Sequence, residues 1–520
     1  MPQTGPSLSG PADLVNLLAP ALSNRPNDVA LASATSAWSW RELDRDINRL
    51  AAHFQAMGLR PGDRIVSLMP NRCELLLHYL ACLKAGLVVT PLNYRYTAPE
   101  IDYALNIIGA SALFAHAERA DDIRASQLAA KLPLGLISYG GSLDGATALE
   151  DIITREQPGV GFPEPDIHAP AFVFFTSGST GKPKGVTHSV SSFGSVASSF
   201  AQATKMTTQD VVLPGGSLSH VGAFSTALAG LFAGTRVVVA QSFDGDELLP
   251  LFREYRPSIF VTLPSALIAL QRDHGATRED FSCLRLCITG GDKFPANLEQ
   301  EFADETGLTI KETYGLTEAT SCLFDPPDGI AKPGSSGVVC PGYMASLRDD
   351  SGQEVSANID GNFWIKGPPV MLGYWGNAQA TNAALRDGWL DTGDVMRVDE
   401  DGYFWFRGRK KQIIVHDGSN ITPQEIEEAV MRHPAVALAG VIGVYDQVHG
   451  ENVWAYVTLK DGVDRPRVQD IIRCARQTVG YKAPEVVIVL DKMPIKATGK
   501  VDRATLEKSA AERVSAEHPA

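Results

Sequence analysis

Residues 176 to 185 read Thr176-Ser-Gly-Ser-Thr-Gly-Lys-Pro-Lys-Gly185 and follow directly on the apolar run Phe172-Val-Phe-Phe175. Six consecutive glycine, serine and threonine residues form a loop whose backbone N–H groups can converge on an anion. The hydroxyls of Thr176, Ser177, Ser179 and Thr180 add donors around Gly178 and Gly181, and Lys182 and Lys184 add positive charge. A loop of this make-up can hold the tail of a nucleoside triphosphate. It is not a Walker A motif, because position 176, five residues before Gly181, is threonine, and no GxGxxG stands anywhere in the chain. A flexible linker is the bland alternative for a Gly/Ser run. Linkers rarely adjoin a buried strand on one side and Lys-Pro-Lys-Gly on the other.

Working outward, apolar β-branched runs alternate with helix-like stretches. Arg64–Met69 reads as a strand and Cys73–Leu83 has helical spacing. Ala171–Thr176, Thr235–Ala240, Ile259–Leu263 and Leu284–Thr289 are further short strands. Strand–helix alternation predicts an α/β fold with parallel, doubly wound sheets. From about residue 334 to 406 the texture changes to Gly/Asp turns between short aromatic strands, predicting a small antiparallel or β-barrel-like unit. Beyond the basic run Arg407–Lys411 an α+β pattern resumes, with Thr422-Pro423-Gln424-Glu425 as a helix start of capping-box spacing. The boundary is expected at 407–412, giving domains 1–408 and 409–520.

At 520 residues the chain exceeds one hydrophobic core, so roughly two to four folding units are expected. A net charge of -14 argues against wrapping nucleic acid or lying on an anionic membrane, while leaving room for a locally positive site. The seven cysteines include no CxxC, and Cys283 and Cys287 read as core packing. That usage suits a reducing compartment. The first residues lack a secretory pattern, no stretch is long and apolar enough to span a bilayer, and the end matches neither SKL nor KDEL. The cytoplasm is the default, with monomer and homodimer both open.

Four more stretches stand in order after the loop: Tyr314-Gly-Leu-Thr-Glu318, Asp391-Thr-Gly-Asp394, Gly408-Arg-Lys-Lys411 and Ile495-Lys-Ala-Thr-Gly-Lys500. Together with Asn362–Trp375 (NFWIKGPPVMLGYW), the set resembles the adenylate-forming superfamily of acyl-CoA synthetases, peptide-synthetase adenylation domains and luciferases. The likeness runs from about residue 30 to 505 and points to the acid–CoA ligase branch.

The resemblance implies an acyl-adenylate made from ATP, then a thioester made with coenzyme A. It assigns the phosphates to Thr176–Lys182 and Lys184, with Thr317 adding a hydroxyl. Tyr314 and Gly315 would face adenine, beside Gly290 and Gly291; by itself such a tyrosine is as readily a turn or core residue. Glu318, with Thr176, would hold Mg²⁺, a hard cation suited to carboxylate oxygen; alone it would read as a solvated glutamate. Asp394 would accept the ribose hydroxyls, its plainer reading being an Asx turn. Arg409 would bind ribose or phosphate, or serve as a charged linker residue. Lys500 would neutralise charge developing on the α-phosphate and pyrophosphate, where an ordinary terminal lysine is inert and exposed. Lys411 would be the hinge of a mobile C-terminal domain, and pantetheine would pass Gly418. The chain departs from the common pattern at Gln412, Asn362 and His416-Asp417-Gly418.

His220 resembles the family's gate beside the substrate carboxylate, although a lone histidine is often structural. The acid's tail would lie among Val221–Phe224, Thr289–Gly291 and Gly315–Thr320, including Val221, Phe224, Gly315 and Ala319. These stretches carry no Arg or Lys, so a second buried carboxylate would lack a partner. The expected substrate is an apolar aromatic or medium-chain monocarboxylic acid. Alternatives are an amide synthetase or loader of a carrier protein acting in trans, a luciferase-like oxygenase, and an inactive binding protein.

Overall fold

The alternation read in the sequence builds two large sheets with parallel centres and antiparallel edges. The computed structural model describes all residues except 1, 156–160, 163, 165, 177–182, 292–295, 331, 417–418, 447–449, 497–499 and 518–520. The chain divides into two compact units, residues 2–345 with 365–390, and residues 346–364 with 391–520.

In the larger unit an eight-stranded sheet has the order Gly373–Tyr374, Lys184–Ser189, Pro170–Thr176, Val88–Pro91, Arg64–Leu68, Ala112–His116, Leu136–Tyr139, Ala146–Ala148. The strands from Pro170–Thr176 to Ala146–Ala148 run parallel, while Lys184–Ser189 and Gly373–Tyr374 join antiparallel. A nine-stranded sheet runs Val338–Val339, Ala319–Phe324, Ile310–Leu316, Leu286–Gly290, Ile259–Thr262, Val211–Gly215, Arg236–Val238, Val29–Ala32, Ala37–Ser39. Its strands from Ile310–Leu316 through Val29–Ala32 are parallel. The helix Cys73–Lys84 and the short strands lie within one or two residues of their expected bounds, apart from Arg236–Val238, which is shorter at both ends.

Much of the core is aromatic. Phe172, Phe193, Phe224 and Tyr79 are all buried, with ring centroids 4.6 Å apart for Phe172–Phe193 and 4.7 Å for Tyr79–Phe224. Each such ring contributes about 2 kcal/mol by leaving water, and its position fixes the helices Val190–Ala203 and Val221–Ala233 that carry it. Cys287 lies in a neighbouring core cluster with Cys283 packed against it.

The smaller unit contains an α+β arrangement. Its five-stranded sheet has the order Ser419–Ile421, Ile414–His416, Gly450–Leu459, Val436–Asp446, with Val486–Val489 pairing parallel to Gly450–Leu459. The helices Pro423–Met431, Val468–Val479 and Arg503–Glu517 complete it. Thr422 is the N-cap of the first and Pro423 opens it, but the expected capping box does not form: the Thr422 side chain makes no cap hydrogen bond. Glu425 instead accepts from Lys482 Nζ at 3.0 Å, an ion pair that outcompetes the neutral cap. The strands Met344–Arg348, Asp360–Lys366, Leu385–Arg386, Trp389–Val398 and Phe404–Arg409 belong to a six-stranded sheet, in keeping with the small β unit expected there, while Gly373–Tyr374 joins the eight-stranded one.

Candidate active site

Thr176 ends one strand and Lys184 begins the next, and the two are register partners in an antiparallel hairpin. The loop residues Ser177, Gly178, Ser179, Thr180, Gly181 and Lys182 lie outside the described residues, as does Gly418. The hairpin base is closely packed. A Cβ on Gly185 would lie 2.7 Å from Val173 Cγ1, and the Gly185 carbonyl accepts from Trp375 N at 2.7 Å. Leu372 N donates to Thr187 O at 2.8 Å, so the short strand Gly373–Tyr374 is clamped beside Lys184–Ser189.

In the nine-stranded sheet the neighbouring parallel strands Val211–Gly215, Ile259–Thr262, Leu286–Gly290 and Ile310–Leu316 end on one edge. Gly290 and Tyr314–Leu316 lie at the ends of two of these strands, and Gly291, Thr317–Glu318 and His220 follow in the segments that leave them. Ligands of open α/β sheets bind at the carboxyl ends of their strands. Glycine is required here by close approach: a Cβ on Gly290 would meet Thr313 Cγ2 at 2.7 Å, and one on Gly315 would meet Ser321 N at 2.3 Å.

His220 is the N-cap of the helix Val221–Ala233 and is exposed as a residue, while loss of solvation among the surrounding protein atoms holds its pKa below the ordinary imidazole value. It is therefore neutral at pH 7. Val221 is half-buried and Gly315 exposed. Phe224 and Ala319, expected to line the acid pocket, are both 0% exposed. For Phe224 the reason is helical phase: its ring turns inward against Tyr79 and Phe172. Thr289 is also 0% exposed, and among the described residues neither its hydroxyl nor that of Thr320 has a hydrogen-bond partner.

Around Glu318 the two sheets exchange contacts that the sequence did not single out. The Tyr374 hydroxyl donates to Glu318 Oε1 at 2.8 Å. Met371 N donates to the Glu318 carbonyl at 2.9 Å. Lys184 Nζ stands 5.0 Å from the centroid of the Tyr374 ring. His188 is fully buried and Nε2 lies 2.9 Å from the Thr317 carbonyl. A carbonyl only accepts, so Nε2 carries the hydrogen, leaving Nδ1 toward the Ser192 hydroxyl at 3.4 Å. Burial holds the His188 pKa down to about 4. The only signal available beforehand was proximity: Tyr374 lies in the quoted NFWIKGPPVMLGYW block and His188 three residues beyond Gly185.

In the smaller unit Asp394 and Arg409 are register partners on paired strands, with Arg409 Nε 3.1 Å from Asp394 Oδ1. Asp394 is 2% exposed. Gly408 has φ +141°, and a Cβ there would approach Thr422 at 3.3 Å. Lys410 reaches Asp350 at 2.7 Å, and the backbone of Lys411 lies in the 3-10 turn Lys410–Gln412. Lys500 is exposed, next to the bridge between Ile495 and Val501, and its carbonyl accepts from Lys496 N at 2.8 Å.

The described residues suit a magnesium-bound nucleotide on chemical grounds. Glu318 offers a hard carboxylate whose Oε2 makes no hydrogen bond among the described residues, while Oε1 is held by Tyr374. The AMP-binding enzyme family model matches residues 18–375, and the AMP-binding enzyme C-terminal domain model matches residues 425–500. The chain belongs to the AMP-binding enzymes, the adenylate-forming superfamily, in its acid–CoA ligase branch. A feruloyl-CoA synthase of an Amycolatopsis species is 34% identical over 485 residues, covering 92% of this chain and 94% of the relative. An indoleacetate–CoA ligase of Aromatoleum aromaticum is 31% identical over 487 residues, covering 92% and 94%. The ATP-bound crystal structure of MatB from Rhodopseudomonas palustris superposes with a TM-score of 0.89 at 29% identity, covering 96% of this chain and 99% of that one. Among the described residues no helix is long and apolar enough to cross a membrane.

Proposed function

We propose that this enzyme, an AMP-forming acid–CoA ligase, acts on an apolar aromatic or medium-chain monocarboxylic acid. A carboxylate oxygen of the acid attacks the α-phosphorus of ATP. The new P–O bond forms as the α–β bridge breaks and pyrophosphate leaves. The sulfur of coenzyme A then attacks the acyl carbonyl and AMP departs.

In this reading Thr176 and Lys184, with residues 177–182, hold the phosphates, and Tyr314, Gly290 and Gly291 border the adenine. Asp394 accepts from the ribose hydroxyls and Arg409 faces ribose or phosphate. Glu318, with Thr176, would hold Mg²⁺, which would supply charge neutralisation to the phosphates. Neutral His220 stands beside the acid's carboxylate and can donate to it without adding a buried charge. Lys500 brings its ammonium to the α-phosphate, and Lys411 is the joint about which the part beyond residue 408 turns. Seven free cysteines, five of them buried, suit a reducing cytoplasm.

Support for the reading comes from the position of His220, Gly290-Gly291 and Tyr314–Glu318 at or just after the ends of parallel strands of one sheet, with His188 joining the Thr176–Lys184 hairpin to Thr317 at 2.9 Å. For the acid, support comes from Val221–Phe224, Thr289–Gly291 and Gly315–Thr320, which contain no Arg or Lys to pair a second carboxylate. The test supplies ATP, Mg²⁺ and a panel of acids, with coenzyme A, amines or neither, and identifies products by mass spectrometry. Acyl-CoA, AMP and pyrophosphate from aromatic or medium-chain acids are expected. Amide products, or turnover of malonate or succinate at comparable kcat/KM, would contradict it.

A further inference from the structure

Glu318 is a carboxylate on a turn, and a metal ligand on a turn needs something to fix its rotamer. Its backbone is held by the bond from Met371 N to its carbonyl at 2.9 Å, which leaves the side-chain torsions unset. The side chain is held by one group, the Tyr374 hydroxyl, 2.8 Å from Oε1. Tyr374 is itself rigidly mounted. It pairs in register with Val186, its N–H donates to the Thr381 hydroxyl at 2.9 Å, and the neighbouring residues Leu372 and Trp375 donate to Thr187 and Gly185 at 2.8 and 2.7 Å.

We propose that Tyr374 is a positioning residue for the metal. Its hydroxyl occupies Oε1 of Glu318 and so presents Oε2 as the oxygen that ligates Mg²⁺. The Lys184 ammonium, 5.0 Å from the Tyr374 ring centroid, places the metal ligand and a phosphate-binding cation on two sides of one side chain. A shift of the hairpin that carries Lys184 therefore moves the ring, and with it the hydroxyl that orients Glu318. No other described side chain hydrogen-bonds Glu318.

The proposal rests on Glu318 being a metal ligand, and the test separates the two ideas. Mn²⁺ binding to the full-length protein saturated with α,β-methylene-ATP is measured by electron paramagnetic resonance of the free ion. Wild type, Tyr374→Phe, Glu318→Gln and the double variant are compared, with thermal melting to confirm that each is folded. The phenylalanine keeps the ring, its contact with Lys184 and the backbone pairing, and loses only the oxygen. Tyr374→Phe is expected to weaken Mn²⁺ about tenfold to a hundredfold, as loss of a ligand-orienting group does. In the Glu318→Gln background it should add less than about twofold, since the carboxylate it orients is gone. If Glu318→Gln weakens Mn²⁺ while Tyr374→Phe leaves it unchanged, or if the two effects simply add, the positioning role is wrong. If Glu318→Gln has no effect, the metal-ligand reading falls and the positioning role falls with it.

Discussion

His188 and Thr317 are joined by a 2.9 Å hydrogen bond from imidazole Nε2 to the backbone carbonyl, and that bond ties the hairpin of Pro170–Thr176 and Lys184–Ser189 to the turn at Thr317–Glu318. The histidine sits at the end of Lys184–Ser189 in one sheet, and the carbonyl lies just past Ile310–Leu316 in the other. Because a cation there would be buried without a carboxylate partner, the ring is kept neutral, with its pKa down at about 4.

The sign of the resulting pH dependence follows from linkage. In the unfolded chain the imidazole titrates near 6.5, so on acidification the unfolded state takes up the proton first. The stability that His188 contributes is complete above about pH 6.5 and is lost as pH falls toward 4. His78, buried with its pKa down to about 3, acts in the same direction. His188→Gln keeps a neutral donor and removes the titration. Between pH 6.5 and 5 the wild type should lose about 2 kcal/mol more than this variant. Melting curves across that range check it; equal losses would remove His188 from the account.

Lys184 faces Thr176 across the hairpin with its ammonium directed over Tyr374. Lys184→Met should raise KM for ATP about tenfold or more, the cost of a charge-assisted contact, while KM for the acid changes little. Pyrophosphate exchange measured against each substrate in turn gives the answer.

Asp394 is buried and paired with Arg409 at 3.1 Å. A residue that accepts from ribose hydroxyls makes the enzyme prefer ATP to 2′-deoxy-ATP. Asp394→Asn should shrink that preference by about tenfold, with a small change in melting because the arginine is largely exposed. A preference unchanged from wild type would exclude the ribose contact.

Thr289 is 0% exposed and its hydroxyl has no hydrogen-bond partner among the described residues. Thr289→Val keeps the shape, favours the strand, and relieves an unsatisfied group costing about 1–3 kcal/mol. Melting temperature should therefore rise. If the hydroxyl also meets the acid, KM for the acid rises in the same variant, and the two readouts divide the structural role from the binding one.

Much of this architecture was legible in the residues. The strand Pro170–Thr176 and the helix Cys73–Lys84 announce themselves through apolar runs bounded by breakers, and the glycine-hydroxyl loop follows where a strand ends. Not every strand direction was legible: Lys184–Ser189, KGVTHS with Val186 as its one apolar side chain, gives no hint that it pairs back antiparallel. Nor could sequence show that Tyr374, in a two-residue strand, pairs with Val186, because long-range register depends on packing between distant segments. Nor could sequence show that the Phe224 ring packs against Phe172, since that contact joins a helix to a distant strand. The Thr422 cap failed for a comparable reason, since Lys482, distant in sequence, takes Glu425.

The central claim is that an ammonium from the C-terminal part quenches charge at the α-phosphate. It is tested by assaying Lys500→Ala in the two half-reactions separately. ATP–pyrophosphate exchange should fall at least about a hundredfold, the scale of removing a transition-state charge partner. Conversion of preformed acyl-adenylate and coenzyme A to thioester should stay within about threefold of wild type. Pyrophosphate exchange at the wild-type rate in Lys500→Ala would contradict the account.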